Sequence, residues 1–379
     1  MKNQIRTLAA GALSRRNFAR FSALAGAGMQ AGFFNEALLA QFQRPVDPPP
    51  AGSVMIDNNE NPMGPCAEAR EACRKVVDDG GRYLIHLEER MVRLFASQEG
   101  LKPASVAIFA GSSPALHQAV LAFTSPTRPY VAADPSYESG SRAAQFIGSK
   151  VIRVPLAKDY SHDVRAMAAA SPDAGLIYIC NPNNPTGTVT RPSDIEWLVA
   201  NKPRGSVIMI DEAYMHISPG AAFSSAMAAA DKDVIILRTF SKIYGMAGLR
   251  AGAAFARPDL LEKLSGHSST GFQSVTAMAA ALASLESKTV VPERRKAIGE
   301  IRDDVSSFLA KNNFSFVPSV SNCIMIDVKK PGNTVVTAMR KEGVFIGRVW
   351  PIWPTHVRIT VGTRDEMEKF KTAFLKVMA

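Results

Sequence analysis

Six short apolar runs between residues 105 and 240 constrain this chain more than any other feature. They are "SVAIFAG" (Ser105 to Gly111), "PYVAAD" (Pro129 to Asp134), "KVIRVPL" (Lys150 to Leu156), "GLIYIC" (Gly175 to Cys180), "SVIMID" (Ser206 to Asp211) and "DVIILRTF" (Asp233 to Phe240). Several show no polar alternation, as expected of strands covered on both faces by helices. The pattern predicts an α/β architecture with a mostly parallel central sheet. From about residue 290 the texture changes: a long charged helix, "VPERRKAIGEIRDDVSSFLAKNN", precedes "FSFVP", "NCIMIDV", "GVFIGRV" and "HVRITVG", which read as a smaller α+β C-terminal domain. The expected division is a signal segment over 1–40, a linker and N-terminal arm over 41–75, a large domain over 76–290 and a small domain over 291–379.

In open α/β sheets, ligands bind outside the carboxyl ends of the strands. Five polar clusters fall there: "GSSPA" (Gly111 to Ala115), "DPSY" (Asp134 to Tyr137), "NPNNPTG" (Asn181 to Gly187), "DEAY" (Asp211 to Tyr214) and "SK" (Ser241, Lys242). One site assembled from five strand ends is the economical reading. "GSSPA" turns from a strand into a helix and leaves the amides of Ser112 and Ser113 at the helix N-terminus, an anion site suited to a phosphate. Pro114 takes a first-turn position, where its missing N–H costs nothing. "NPNNPTG" forces a defined turn that presents Asn184, both donor and acceptor.

Asp211 ends an apolar strand, a costly place for an unpaired charge, and calls for a cation. The protonated ring nitrogen of a pyridine would be one. Lys242 stands where the "VIIL" run gives way to polar sequence, and a desolvated lysine can lose its proton near neutral pH and form a Schiff base with an aldehyde. In "RTFSKIYGMAGLRAG" (Arg238 to Gly252), Gly245 and Gly248 are expected to let the backbone pass close to a ligand and to return Arg250 toward the same phosphate. Pyridoxal phosphate needs a lysine, an acid opposite its ring nitrogen and a cup for its phosphate. All three are present.

"DNNENPMGP", "NPNNPTG", "DEAY", "RTFSKIYGMAGLRAG" and "HVRITVGTRDEM", in that order from about Met55 to the C-terminus, resemble a class I/II aminotransferase of fold-type I, within it the histidinol-phosphate aminotransferase group. The resemblance implies pyridoxal phosphate held as an aldimine on Lys242, with Asp211 keeping the ring nitrogen protonated. It places Asn184 and Tyr214 on the ring hydroxyl and Tyr137 on the ring face. Ser112, Ser113, Ser241 and Arg250 would take the phosphate, with Tyr83 reaching it from the second subunit of a homodimer. Arg358 would grip an acidic group of the substrate, a bidentate task suited to a guanidinium, with Asn61, Asn184 and Arg348 also on the substrate side. The implied reaction is a ping-pong exchange of an amino group between an amino acid and a 2-oxo acid, in which the amine of Lys242 moves the α proton. The alternatives are histidinol-phosphate aminotransferase proper, or a lyase, decarboxylase or racemase on the same scaffold. Met63 departs from the tyrosine common in that group, and "SSP" replaces the usual "SDE". Arg348, Trp350 and Trp353 could suit an aromatic or acidic substrate side chain, or the tryptophans could be surface residues of the small domain.

The N-terminus carries a different message. "SRRNFAR" (Ser14 to Arg20) followed by the weakly hydrophobic "FSALAGAGMQAGFF" resembles a twin-arginine export signal, and "RPVDPPPAGS" (Arg44 to Ser53) reads as a linker after it. Periplasmic or otherwise exported placement is expected. The net charge of +10 is partly local: residues 1–50 hold six cations and two anions, leaving about +6 for the rest, where no dense basic run with aromatics occurs. Neither nucleic-acid binding nor stable membrane insertion is expected. Four cysteines at irregular spacing (Cys66, Cys73, Cys180, Cys323) make neither a disulfide framework nor a zinc pattern, and no metal site is expected. They read as buried free thiols.

Overall fold

A computed structural model of the chain describes residues 49–267 and 272–379. The paired arginines Arg15 and Arg16 lie outside the described residues. The strands among those described are β1 (Val54–Ile56), β2 (Val106–Phe109), β3 (Tyr130–Asp134), β4 (Val151–Pro155), β5 (Leu176–Cys180), β6 (Val207–Asp211), β7 (Val234–Thr239), β8 (Gly252–Phe255), β9 (Ser315–Phe316), β10 (Cys323–Asp327), β11 (Val344–Ile346) and β12 (His356–Thr360).

All six expected runs are strands of one seven-stranded sheet, in the order β2-β8-β7-β6-β5-β3-β4. The neighbours β4, β3, β5, β6 and β7 run parallel, while β8 is antiparallel to both β7 and β2. Every residue of β5, β6 and β7 is buried, so both faces of these strands are covered. This is why they carry branched apolar side chains without alternation. Ile177, Ile179, Ile208 and Ile210 are each 0% exposed, and each such side chain stabilises the fold by about 1.5–3 kcal/mol on leaving water.

Strand β8 was not expected from the sequence, because "GAAF" offers one large apolar residue and nothing resembling a buried run. It decides the site nonetheless. Being antiparallel, it starts at the edge where its neighbours end: Gly252 pairs with Thr239 on one side and Phe109 on the other. Arg250 is therefore delivered to the carboxyl edge of the sheet.

Two smaller sheets complete the unit Ser53–Ala379. One is antiparallel, in the order β12-β10-β9; the other pairs β1 with β11 in parallel, Ile56 beside Ile346. Parallel pairing means that the segments after β1 (Asp57 to Asn61) and after β11 (Gly347, Arg348) leave from the same end. The helix Val290–Lys311 fastens this part to the lysine loop: Arg294 donates to the carbonyls of Ile243 (3.0 Å) and Gly64 (2.6 Å).

One buried ion cluster escaped the sequence reading. Arg238, on β7 and 2% exposed, pairs through Nε with fully buried Glu212 (2.6 Å) and through Nη1 with Glu99 (3.0 Å). The Ser224 amide donates to the other oxygen of Glu212 (2.7 Å). Breaking such a pair strands a buried charge, so the cluster clamps the turn that follows Asp211.

Candidate active site

The carboxyl edge gathers Gly111 to Ser113 after β2, Tyr137 after β3, Asn184 after β5, Asp211 and Tyr214 at and after β6, and Ser241 and Lys242 after β7. Asp211 is 3% exposed. Its Oδ2 accepts from the Tyr178 hydroxyl (2.9 Å) and its Oδ1 from the Ala213 amide (3.1 Å). Burial pushes its carboxyl up to about 6, against the Tyr178 hydrogen bond, which pulls it down. Tyr178 was missed, although a tyrosine inside an otherwise apolar strand calls for a hydroxyl partner.

Lys242 is half-buried and donates from Nζ to the Asn59 carbonyl (2.8 Å), with the ring of Tyr214 5.5 Å away. Burial, with Arg358 adding repulsion, lowers its ammonium to about 8, so a usable fraction is a neutral amine near physiological pH. Asn59 is the second residue the sequence did not single out. Its Nδ2 donates to the Tyr214 hydroxyl (3.1 Å) and its Oδ1 accepts from Thr360 (3.2 Å), joining the arm after β1 to β6 and β12. Asn61, expected on the substrate side, turns both ends of its amide onto backbone: Nδ2 donates to Ile243 (3.1 Å), and Oδ1 accepts from Met63 (3.1 Å).

The anion cup is close-packed. Helix Ser112–Phe123 begins at Gly111, whose φ of 92° suits glycine. A Cβ there would lie 2.3 Å from Nη2 of Arg250. Arg250 itself holds a positive φ of 66°, a strained conformation for a branched-free but bulky residue, and donates through Nη1 to Ser241 Oγ (3.2 Å). Gly252 is required for close approach, since a Cβ would stand 2.5 Å from the Gly111 carbonyl carbon and 2.8 Å from the Ser112 nitrogen. Of the two loop glycines, Gly245 packs on the Gly64 carbonyl, which an added Cβ would meet at 2.2 Å, and a Cβ added at Gly248 would meet no protein atom within 4 Å.

Arg358, 6% exposed, donates through Nη1 to Asn184 Oδ1 (2.8 Å) and through Nη2 to the Asp57 carbonyl, while its buried Nε has no partner. Arg348 pairs with Glu138 (2.5 Å) and lies 4.6 Å over Trp350; Arg358 lies 5.5 Å from the same ring. Trp350 is 1% exposed, so it is not a surface residue; Trp353 is half-buried. Tyr137 is half-buried against the core. Tyr83 is exposed and stacks on Phe272 at 4.3 Å. Cys180 and Cys323 are buried, whereas Cys66 and Cys73 are only half-buried.

The residues fit pyridoxal phosphate. Asp211 is a buried acid whose hydrogen-bond partners are a phenol and an amide, and a protonated ring nitrogen would supply the missing cation. The cup of unpaired helix amides, Ser241 and Arg250 has the charge and donors for a phosphate. Among the described residues, no group of three or more His, Cys, Asp or Glu could hold a metal ion, and no helix is long and apolar enough to cross a membrane.

Fold and site together define a pyridoxal-phosphate-dependent transferase of fold-type I. The chain belongs to the aminotransferase class I and II family, whose model matches residues 57–374, and is a pyridoxal-phosphate-dependent aminotransferase. It is 31% identical over 338 residues to a histidinol-phosphate aminotransferase of Moorella thermoacetica, covering 86% of each chain. It is 30% identical to an aromatic amino acid aminotransferase of Cutibacterium acnes, over 84% of this chain and 90% of that one. The histidinol-phosphate aminotransferase of Sinorhizobium meliloti, solved with pyridoxal 5'-phosphate, superposes with a TM-score of 0.81 at 26% identity, over 92% of this chain and 96% of that one.

The Asp211 environment makes a pH-dependent prediction for the cofactor-free protein. Its folded value near 6 lies above the ordinary 3.8, so folding disfavours the ionised form: the cost is absent below about 3.8 and fully present above about 6. Asp211→Asn should therefore stabilise the cofactor-free protein by about 3 kcal/mol at pH 8 and by little at pH 4. Urea titrations at the two pH values check this, and an equal difference at both would contradict it.

Proposed function

We propose that the enzyme exchanges an amino group between an amino acid and a 2-oxo acid in a ping-pong cycle, with Lys242 as both covalent anchor and proton carrier. The observation that carries this reading is one juxtaposition. A lysine amine that titrates near 8, a buried acid and a buried arginine converge on the carboxyl edge of one sheet.

Bound pyridoxal phosphate supplies a carbonyl carbon that takes up amines and a ring that accepts the electron pair released at the substrate's α carbon. The chain's own residues do the rest. Asp211 holds a proton on the ring nitrogen, and Tyr178 and Ala213 fix the carboxyl in place. Ser112, Ser113, Ser241 and Arg250 would hold the phosphate, Asn184 and Tyr214 the ring hydroxyl, and Tyr137 the ring face. Arg358 takes the substrate carboxylate, for which its present partners, an amide oxygen and a backbone carbonyl, are neutral stand-ins. Nζ of Lys242 would anchor the cofactor and carry the α proton as a general base, a role that its lowered value of about 8 suits.

Two features outside this geometry belong to the same proposal. The exposed Tyr83 supports a homodimer in which it reaches the neighbouring phosphate cup; sedimentation of the holoenzyme should give the mass of two chains, and a one-chain mass would refute it. The "SRRNFAR" motif supports twin-arginine export. Replacing Arg15 and Arg16 by lysine should retain the protein in the cytoplasm, and unchanged fractionation would argue otherwise.

The reaction itself is tested by Arg358→Lys. A single point charge cannot grip a carboxylate in two places, so KM for the amino donor should rise about tenfold or more, with a smaller change in kcat. Steady-state kinetics with a 2-oxo acid acceptor read both parameters. An unchanged KM would move carboxylate binding to another residue.

A further inference from the structure

Resting on the placement of Tyr214 beside the cofactor's ring hydroxyl, we infer that Asn59 and Thr360 form a relay that fixes the Tyr214 hydroxyl as a hydrogen-bond donor to that ring oxygen, which makes Asn59 a positioning residue of the reaction. The observation is a chain of buried donors whose directions leave one way out. Asn59, Thr360 and Tyr214 are 1%, 2% and 4% exposed, so a polar group left unpaired among them is costly. They come from three separate elements: the arm after β1, strand β12 and the turn after β6.

The chain starts at a group that can only donate. The backbone amide of Asn59 donates to Thr360 Oγ1 (2.9 Å), and the Thr360 hydroxyl in turn donates to Asn59 Oδ1 (3.2 Å). That settles which end of the Asn59 amide faces Tyr214: Nδ2 does, and it donates to the Tyr214 oxygen (3.1 Å). Turning the amide round would leave the buried Thr360 hydroxyl proton without an acceptor among the described residues. The main chain of Asn59 is held as well. It has a φ of 52°, a left-handed conformation that asparagine tolerates, and its carbonyl accepts from Lys242 Nζ (2.8 Å). One residue thereby meets Lys242 with its backbone and Tyr214 with its side chain.

The Tyr214 oxygen is thus occupied by a donor, while its own proton has no acceptor among the described residues. Burial pushes the phenol well up, so the proton stays on near neutral pH. A hydroxyl that accepts from an amide donates more strongly, because hydrogen bonds in a row polarise one another. An anionic oxygen is the acceptor such a donor suits, and the ionised ring hydroxyl of pyridoxal phosphate is one. The titratable and charged groups facing Tyr214 and Lys242 are Cys180 on β5, Asp211 on β6, Glu60 in the arm, Cys323 on β10 and Arg358 on β12. Asn59 and Thr360 carry no charge, so removing either side chain alters one line of hydrogen bonds and leaves the local charge as it was.

The test is a pH titration of the absorbance of the holoenzyme without substrate, which reads where the nitrogen joining Lys242 to the cofactor loses its proton. A donor on the ring oxygen stabilises that oxygen's charge and weakens its hold on this proton, so losing the donor raises the midpoint. Tyr214→Phe should raise it by about one pH unit or more, and Asn59→Gly, which keeps the left-handed backbone and the carbonyl, by about half a unit or more. Adding Asn59→Gly to Tyr214→Phe should move it no further. Thr360→Val should act like Asn59→Gly, whereas Thr360→Ser, which keeps the hydroxyl, should titrate with the wild type; this pair reads the relay even if Asn59→Gly does not fold. A wild-type midpoint in Asn59→Gly or in Thr360→Val, or an equal rise with and without the Tyr214 hydroxyl, would overturn the inference. A wild-type midpoint in Tyr214→Phe would instead overturn the placement of Tyr214 on the ring oxygen, and the relay with it.

Discussion

A carboxyl group at the end of a strand buried at every position is the constraint around which the rest of this structure is arranged. Asp211 lies where solvation is poor and where its neighbours in register, Cys180 and Leu237, offer no charge. Folding alone would neutralise it. The surrounding chain keeps it poised instead, with one phenol and one amide aimed at its two oxygens and the Glu212 to Arg238 clamp fixing the turn behind it. An acid held at cost in this way has its function in what it pairs with, and a protonated ring nitrogen is the partner its position calls for.

The same edge explains why a mostly parallel sheet carries one reversed strand. Five strands bring their carboxyl ends to the site, but the phosphate cup needs a guanidinium on the side of β2, beyond the lysine loop. Reversing β8 places its beginning there, and the glycine at that beginning lets the Gly111 to Ser112 junction pass within contact distance. Parallel pairing of β1 with β11 does the equivalent work for the substrate side, since it sends Asp57 to Asn59 and Arg348 out of one end toward Arg358.

How much of this was legible in the sequence follows from the physics of each signal. The six buried runs and the residues at their ends were readable because full burial removes alternation and a polar cluster after such a run has few other uses. Lys242, Asp211 and Asn184 could be named on that ground, and Arg250 from the loop that follows Lys242 and the family resemblance. β8 was not readable, because it is four residues long, begins with a glycine kept small by the Gly111 to Ser112 junction and holds one large apolar side chain, so no apolar run marks it. Asn59 was hidden because its partners, Tyr214 and Thr360, are distant in sequence. Arg238 and Glu212 were hidden for a related reason: an ion pair inside a core leaves no periodicity.

The most direct measurement is chemical. Holoenzyme reduced with borohydride and then digested should yield one pyridoxyl-bearing peptide, with the modification on Lys242 in "TFSKIYG". Modification at any other lysine, with Lys242 recovered free, would contradict the assignment of this residue as the anchor and proton carrier.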